Sequence, residues 1–136
     1  MAKIVALDIG MKRTGIAESD ALQMMAFPLV TVYTEELMGF LRSRMLEEPC
    51  EELVVGAPTR WDGSASEVAN FINDLCEKIQ SAWPQLRIVR VDERFTSSLA
   101  SDALLRGGMK KSKRQEKGAV DKVAAALILE NYLAQR

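Results

Sequence analysis

The chain reads as an α/β protein: a five-stranded mixed sheet flanked by helices, three antiparallel strands and then two parallel ones, in the order β-β-β-α-β-α-β-α-α. Three observations predict it. The apolar runs in residues 1–33 are separated by connections too short for anything but hairpins. Beyond them, strand-length apolar runs alternate with segments of helical period, and those connections are long enough for parallel crossovers. The 136 residues, 48% hydrophobic and 27% charged, suit one soluble domain with one substantial core, spanning residues 1–136.

Each element has a local reason. Ile4–Leu7 is a short apolar run, Gly10 a natural turn residue, and Thr14–Ala17 resumes the apolar pattern, so strand, tight turn and strand make a hairpin. Ser19-Asp20-Ala21 breaks the chain, and the largely apolar segment 24–33 ends in β-favouring Val30-Thr31-Val32-Tyr33, a third strand. Thr34-Glu35-Glu36-Leu37 opens a helix: Thr34 suits the N-cap, the glutamates suit the first turn, and Leu37, Phe40, Leu41, Arg44 and Met45 recur at helical spacing until Pro49. Glu52–Gly56 is a central strand that runs into a loop at Ala57-Pro58. Ser64–Ala82 carries Val68, Phe71, Ile72, Leu75 and Ile79 on one face, continued by Trp83, a second helix stopped by Pro84. Leu86–Val91 is the fifth strand. Thr96–Leu105 is a third helix, capped by Thr96 or Ser97 and ended by Gly107-Gly108. Ala119–Leu133 is the last, with Val120, Val123, Ala124, Leu127 and Ile128 turned to the core.

Composition excludes several classes of function. No apolar run is long enough for a membrane span and no signal-peptide layout opens the chain, so a cytoplasmic protein without membrane contact is expected. Cys50 and Cys76 lack metal-type spacing and read as buried or incidental reduced thiols. The formal charge of −1 means that any nucleic-acid affinity comes from local patches. One such patch is Arg106–Gly118, with Arg106, Lys110, Lys111, Lys113, Arg114 and Lys117 and almost nothing apolar to pack. It reads as a mobile cationic loop for phosphates, or as a solvated surface connection.

Candidate chemistry sits at the strand ends. Asp8 closes an apolar strand with no adjacent cation, which asks for a metal ion or a basic ligand, or else makes an Asx-type turn of the hairpin. Gly10 and Gly15 let the backbone approach a ligand, and Lys12 and Arg13 place positive charge on the turn. Asp92-Glu93-Arg94 follows the fifth strand, and Asp121 stands in the first turn of the closing helix. In open sheets, sites form where strand ends meet at a change in connectivity, so these acids can converge at one edge, where oxygen ligands suit Mg²⁺ or Mn²⁺. Taken singly, Asp121 also suits the helix dipole, Asp92 a turn, and Glu93 with Arg94 a surface pair. Arg60 and Trp61 belong at the rim of the same cleft, Trp61 either stacking on a base or covering apolar surface.

Four motifs carry a family resemblance: Asp8-Ile-Gly-Met-Lys-Arg-Thr-Gly-Ile-Ala, Val55-Gly-Ala-Pro with Asp62-Gly63, Asp92-Glu-Arg-Phe-Thr-Ser, and Val120-Asp-Lys-Val-Ala-Ala-Ala-Leu-Ile-Leu. In this order, and across essentially the whole chain, they resemble the YqgF family of RNase H-like proteins. The family's Gly-Leu-Pro stands here as Gly56-Ala57-Pro58. The resemblance implies a nuclease for 5′-end maturation of the small-subunit (16S) ribosomal RNA precursor, or a Holliday junction resolvase acting on four-way DNA. It also implies that Asp8, Glu93 and Asp121 form the acidic site, Glu93 replacing the fourth-strand acid of related resolvases, with Asp92 as the substitute.

The implied chemistry is phosphodiester hydrolysis with two divalent ions, Mg²⁺ or Mn²⁺, Asp8 bridging them and Glu93 and Asp121 completing the ligand set. Lys12, Arg13 and Arg94 would steady the substrate backbone, with Arg60, Trp61, Lys110, Lys111, Lys113 and Arg114 around them. Sugar kinases and actin-like ATPases also open on Asp-x-Gly, but they close two lobes around ATP and this length allows one. A non-catalytic nucleic-acid-binding protein on the same fold is the stronger rival. Precursor RNA and junction DNA both present phosphates, and monomer or homodimer stays open.

Overall fold

A computed structural model of the chain describes residues 2–57, 64–92 and 119–135. Strands β1 (Lys3–Ile9), β2 (Arg13–Ser19) and β3 (Ala26–Tyr33) come first. A 3₁₀ turn (Thr34–Glu36) leads into helix α1 (Leu37–Glu47), then β4 (Cys50–Ala57), α2 (Ser64–Ala82), β5 (Arg87–Asp92) and α3 (Ala119–Gln135). The strands make one five-stranded sheet in the order β3-β2-β1-β4-β5. β1–β2 and β2–β3 are antiparallel, while β1–β4 and β4–β5 are parallel. The expected arrangement of three antiparallel strands and two parallel ones therefore holds, with β1 at the centre. The helix expected at Thr96–Leu105 and the cationic segment Arg106–Gly118 lie outside the described residues.

Strand alternation divides the core between the two faces of the sheet. Val5, Leu7 and Ile9 of β1 point to one face, where they pack with Ile16, Leu53 and Val55 against Leu37 and Leu41 of α1 and Ile72, Leu75 and Ile79 of α2. Ile4 and Ala6 point to the other, with Ala17 and Val54 against Ala125, Ala126, Ile128 and Leu129 of α3. Each fully buried Leu or Ile contributes about 1.5–3 kcal/mol. The next residue of this second set along β1 is Asp8.

Two local expectations are corrected. Thr34 does not cap α1: the residues after β3 make a 3₁₀ turn, no side chain caps it or the helix that follows, and Thr34 itself is buried. In α3 the buried positions are Ala124, Ala125, Ala126, Ile128 and Leu129, whereas Val123 and Leu127 are half-buried. The helix is apolar nearly all round, so periodicity leaves its rotation open, and the small residues of the sheet decide which side seats.

The β2–β3 connection is closed by Asp20, whose carboxylate accepts the Met24 and Met25 N–H groups at 2.7 and 3.1 Å. Those bonds hold its carboxyl below the usual carboxylate range. Gln23 takes the positive φ of 58° that the turn requires. Among the described residues no helix is long and apolar enough to cross a membrane.

Candidate active site

The carboxyl ends of the parallel strands share one edge of the sheet. Leu7 of β1 lies opposite Val55 of β4, Val55 opposite Arg90 of β5, and Ala57 opposite Asp92. Asp8 is half-buried at this edge, on the α3 side, and its partner in β2 is Gly15.

What covers Gly15 is the backbone of α3. A Cβ at Gly15 would stand 2.0 Å from the Asp121 carbonyl oxygen and 2.7 Å from the Lys122 nitrogen, distances no real side chain tolerates. Hairpin and helix thus meet backbone to backbone, and Asp121, in the first turn of α3, comes over the residue paired with Asp8. The close approach expected of Gly15 is therefore to a helix and not to a ligand.

Arg13 opens β2 and donates from Nε to Asp121 Oδ2 at 3.3 Å, the two side chains being 33% and 30% exposed. The turn that carries it is held from several sides. Gly10 N–H donates to the Arg13 carbonyl at 2.9 Å, and Thr34 N–H donates to the Lys12 carbonyl at 2.9 Å. The Thr34 hydroxyl donates to the Gly10 carbonyl at 2.6 Å and meets the Thr14 hydroxyl at 2.8 Å. A hydroxyl has one proton, so Thr14 is the donor in that pair. The Lys12 side chain is left exposed on the turn. Thr14 and Thr34 are the supporting residues that sequence reasoning missed. The pairing of Thr14 with Val32, two residues before Thr34, is what brings them together.

β5 ends at Asp92, and the residue after it in the chain is Glu93. Glu93, Arg94, Arg60, Trp61, Lys110, Lys111, Lys113 and Arg114 lie outside the described residues. Among the described residues no group of three or more His, Cys, Asp and Glu side chains is gathered for a metal ion. Asp8 and Asp121 nevertheless offer hard carboxylate oxygens of the kind that Mg²⁺ and Mn²⁺ take, and the Arg13 guanidinium already sets a positive charge beside one of them. The donor set therefore fits a divalent cation. The sequence has no histidine. Burial pushes the Cys50 thiol up to about 11 and raises that of Cys76, so neither supplies a ready thiolate.

Residues 2–135 match the family described as RuvX, Holliday junction resolvase. A protein of Bacteroides thetaiotaomicron named "Putative pre-16S rRNA nuclease" is 43% identical over 136 residues, covering 100% of this chain and 99% of its own length. One of Christiangramia forsetii with the same name is 42% identical over 133 residues, 98% of each chain. In fold, the chain is similar to T. thermophilus RuvC in complex with a Holliday junction, with a TM-score of 0.59 at 13% identity over 99% of this chain and 96% of that one. It is also similar to Fowlpox virus resolvase bound to Holliday junction DNA, with a TM-score of 0.57 at 12% identity over 98% and 97%. The fold is thus RNase H-like.

Proposed function

This chain belongs to the RuvX family, the one its motifs resemble under the name YqgF, and from that membership we propose that it is a metal-dependent nuclease of 5′-end maturation of the small-subunit ribosomal RNA precursor. It hydrolyses phosphodiester bonds. The observation that carries the reading is the seating of α3 on Gly15, which brings the Asp121-bearing turn over the residue opposite Asp8.

Asp8, Asp121 and Glu93 would hold the divalent ions, Mg²⁺ or Mn²⁺. When bound, such ions activate a water and shield the charge that gathers on the phosphate oxygens. The chain's own contribution is to hold the carboxylates ready: Asp8 by the central strand, Asp121 by a helix whose first turn lies directly against Gly15. Glu93, the residue that follows β5 in the chain, would be the third acid, as the family motif implies, with Asp92 as its substitute. Lys12 and Arg13, on a turn tied to Thr34, orient the substrate backbone. Arg60, Arg94, Lys110, Lys111, Lys113 and Arg114 add salt-dependent phosphate contacts, and Trp61 stacks on an unpaired base, worth about 1–3 kcal/mol. With no histidine and no low-pKa thiol on hand, attack falls to water and not to a side chain.

The test is cleavage of precursor 16S ribosomal RNA and of a four-way DNA junction, side by side, in Mg²⁺. The RNA should be cut, and Asp8→Asn should lose about a hundredfold or more in rate with its circular dichroism unchanged. Cutting of the junction alone would transfer the assignment to the second reading, which the family's description favours. Equal binding by wild type and Asp8→Asn with no cleavage by either would leave a nucleic-acid-binding protein on a nuclease fold.

A further inference from the structure

We propose that Arg13 is the built-in counter-ion of Asp121, displaced when a divalent cation enters and thereby released toward the incoming phosphate; this rests on the metal site proposed above. The backbone at both ends of the contact is held. Arg13 closes a turn through its carbonyl and pairs with Tyr33 across β2 and β3, while the first turn of α3 lies against Gly15. An exchange of partners at Asp121 is therefore a side-chain event, and of the two side chains the arginine has the reach to swing away.

The strength of the contact suits exchange. Nε meets Oδ2 at 3.3 Å and both groups are about a third exposed, so the pair is of the weak, screened kind and not a buried clamp. It still has work in the metal-free protein, because Asp8 and the turn bearing Asp121 are brought to one edge and like charges there repel. A divalent ion supplies that neutralisation with more charge on a smaller radius, and repels the guanidinium it replaces. The freed group is planar and forked, matched to phosphate oxygens, and belongs to the residue after the exposed Lys12. Cation and phosphate then bind in a linked order, the first making available an anchor for the second.

The experiment is a Mn²⁺ titration of the full chain, followed by water-proton relaxation, on wild type, Arg13→Gln, Arg13→Lys and Asp121→Asn, with thermal melting alongside. Arg13→Gln should bind Mn²⁺ about two- to fivefold more tightly than wild type, the factor that corresponds to loss of an exposed ion pair. Without metal it should melt lower, and added Mn²⁺ should raise its midpoint by more than it raises that of wild type. Arg13→Lys, which keeps the charge, should stay near wild type. Asp121→Asn should bind weakly; affinity equal to wild type would put the counted ion elsewhere and overturn the proposal. Equal or weaker Mn²⁺ binding by Arg13→Gln overturns the displacement while leaving the metal site standing. Absence of Mn²⁺ binding by every protein, wild type included, overturns the metal site itself and the proposal with it.

Discussion

At Gly15, the space a methyl group needs is already filled by the Asp121 carbonyl. Gly15→Ala must lift the first turn of α3 off the sheet, and overpacking of that kind costs about 1–3 kcal/mol. The expected outcome is a lower urea midpoint with an unchanged m-value, together with weaker Mn²⁺ binding because Asp121 moves with its helix. A variant as stable as wild type would show that the helix is not held where the structure puts it. Asp8 stands out in the sequence because an acid in an apolar strand breaks a pattern, whereas Asp121 in a helix's first turn follows one and is marked only by the family motif around it. The role of Gly15 does not stand out: the Arg13–Asp121 contact beside it joins positions 108 apart, and nothing in local spacing encodes that meeting.

At the scale of elements, the strands and the first two described helices follow from apolar runs and punctuation: β1 and β4 are apolar on both faces, as central strands are, and a Gly, Asp or Pro stands just after the ends of β1, β2, β4, α1 and α2. α2 is the clearest case, its Ile72, Leu75 and Ile79 buried as their spacing requires. α3 is the exception. Ala124, Ala125, Ala126, Ile128 and Leu129 are buried while Leu127 is not fully so, and Ala125 and Ala126 bring α3 close to Ala6, Gly15 and Ala17. Close fit as well as hydrophobicity sets the rotation of this helix. Ala125→Leu should therefore lose about 1–3 kcal/mol despite being the more hydrophobic residue, and Leu127→Gln well under half of that, as read from urea unfolding of the two variants. The reverse ranking would mean that α3 is rotated from the orientation described. Thr34 departs from its sequence pattern for a tertiary reason: a threonine before two glutamates has the look of a helix start, but its hydroxyl is spent on the Gly10 carbonyl and Thr14.

Across the whole molecule, charge ties the amino end of β1 to β2 and to the end of α1. Lys3 lies 2.9 Å from Glu48 and 3.5 Å from Glu18, and Arg44 meets both Glu18 and Glu48. The hydrogen bond to Glu48, and the charge of Glu18, raise Lys3 above its ordinary 10.5, and the same hydrogen bond holds Glu48 below its ordinary 4.5. A depressed carboxyl contributes stability above its unfolded value and loses it as pH falls through the folded one. A raised ammonium contributes below its unfolded value and loses it as pH rises through the folded one. The network is thus whole between those limits. Glu48→Gln should lower the urea midpoint near neutral pH, and the gap from wild type should shrink below about pH 4 and in about 1 M salt. A gap constant from neutral to acid pH would assign the effect to packing and not to charge.

The seating of α3 also has a consequence in time. A ribosome delivers all five strands, Asp8 among them, before it delivers residues 119–135. The growing chain thus holds all its strands while it still lacks the helix that brings the second carboxylate to the edge and covers one face of the sheet. On the site proposed above, the cutting centre would therefore stay half built while the peptide is tethered to an RNA machine, and a chain terminated before residue 119 should show no cleavage of the precursor RNA in the assay used for Asp8→Asn.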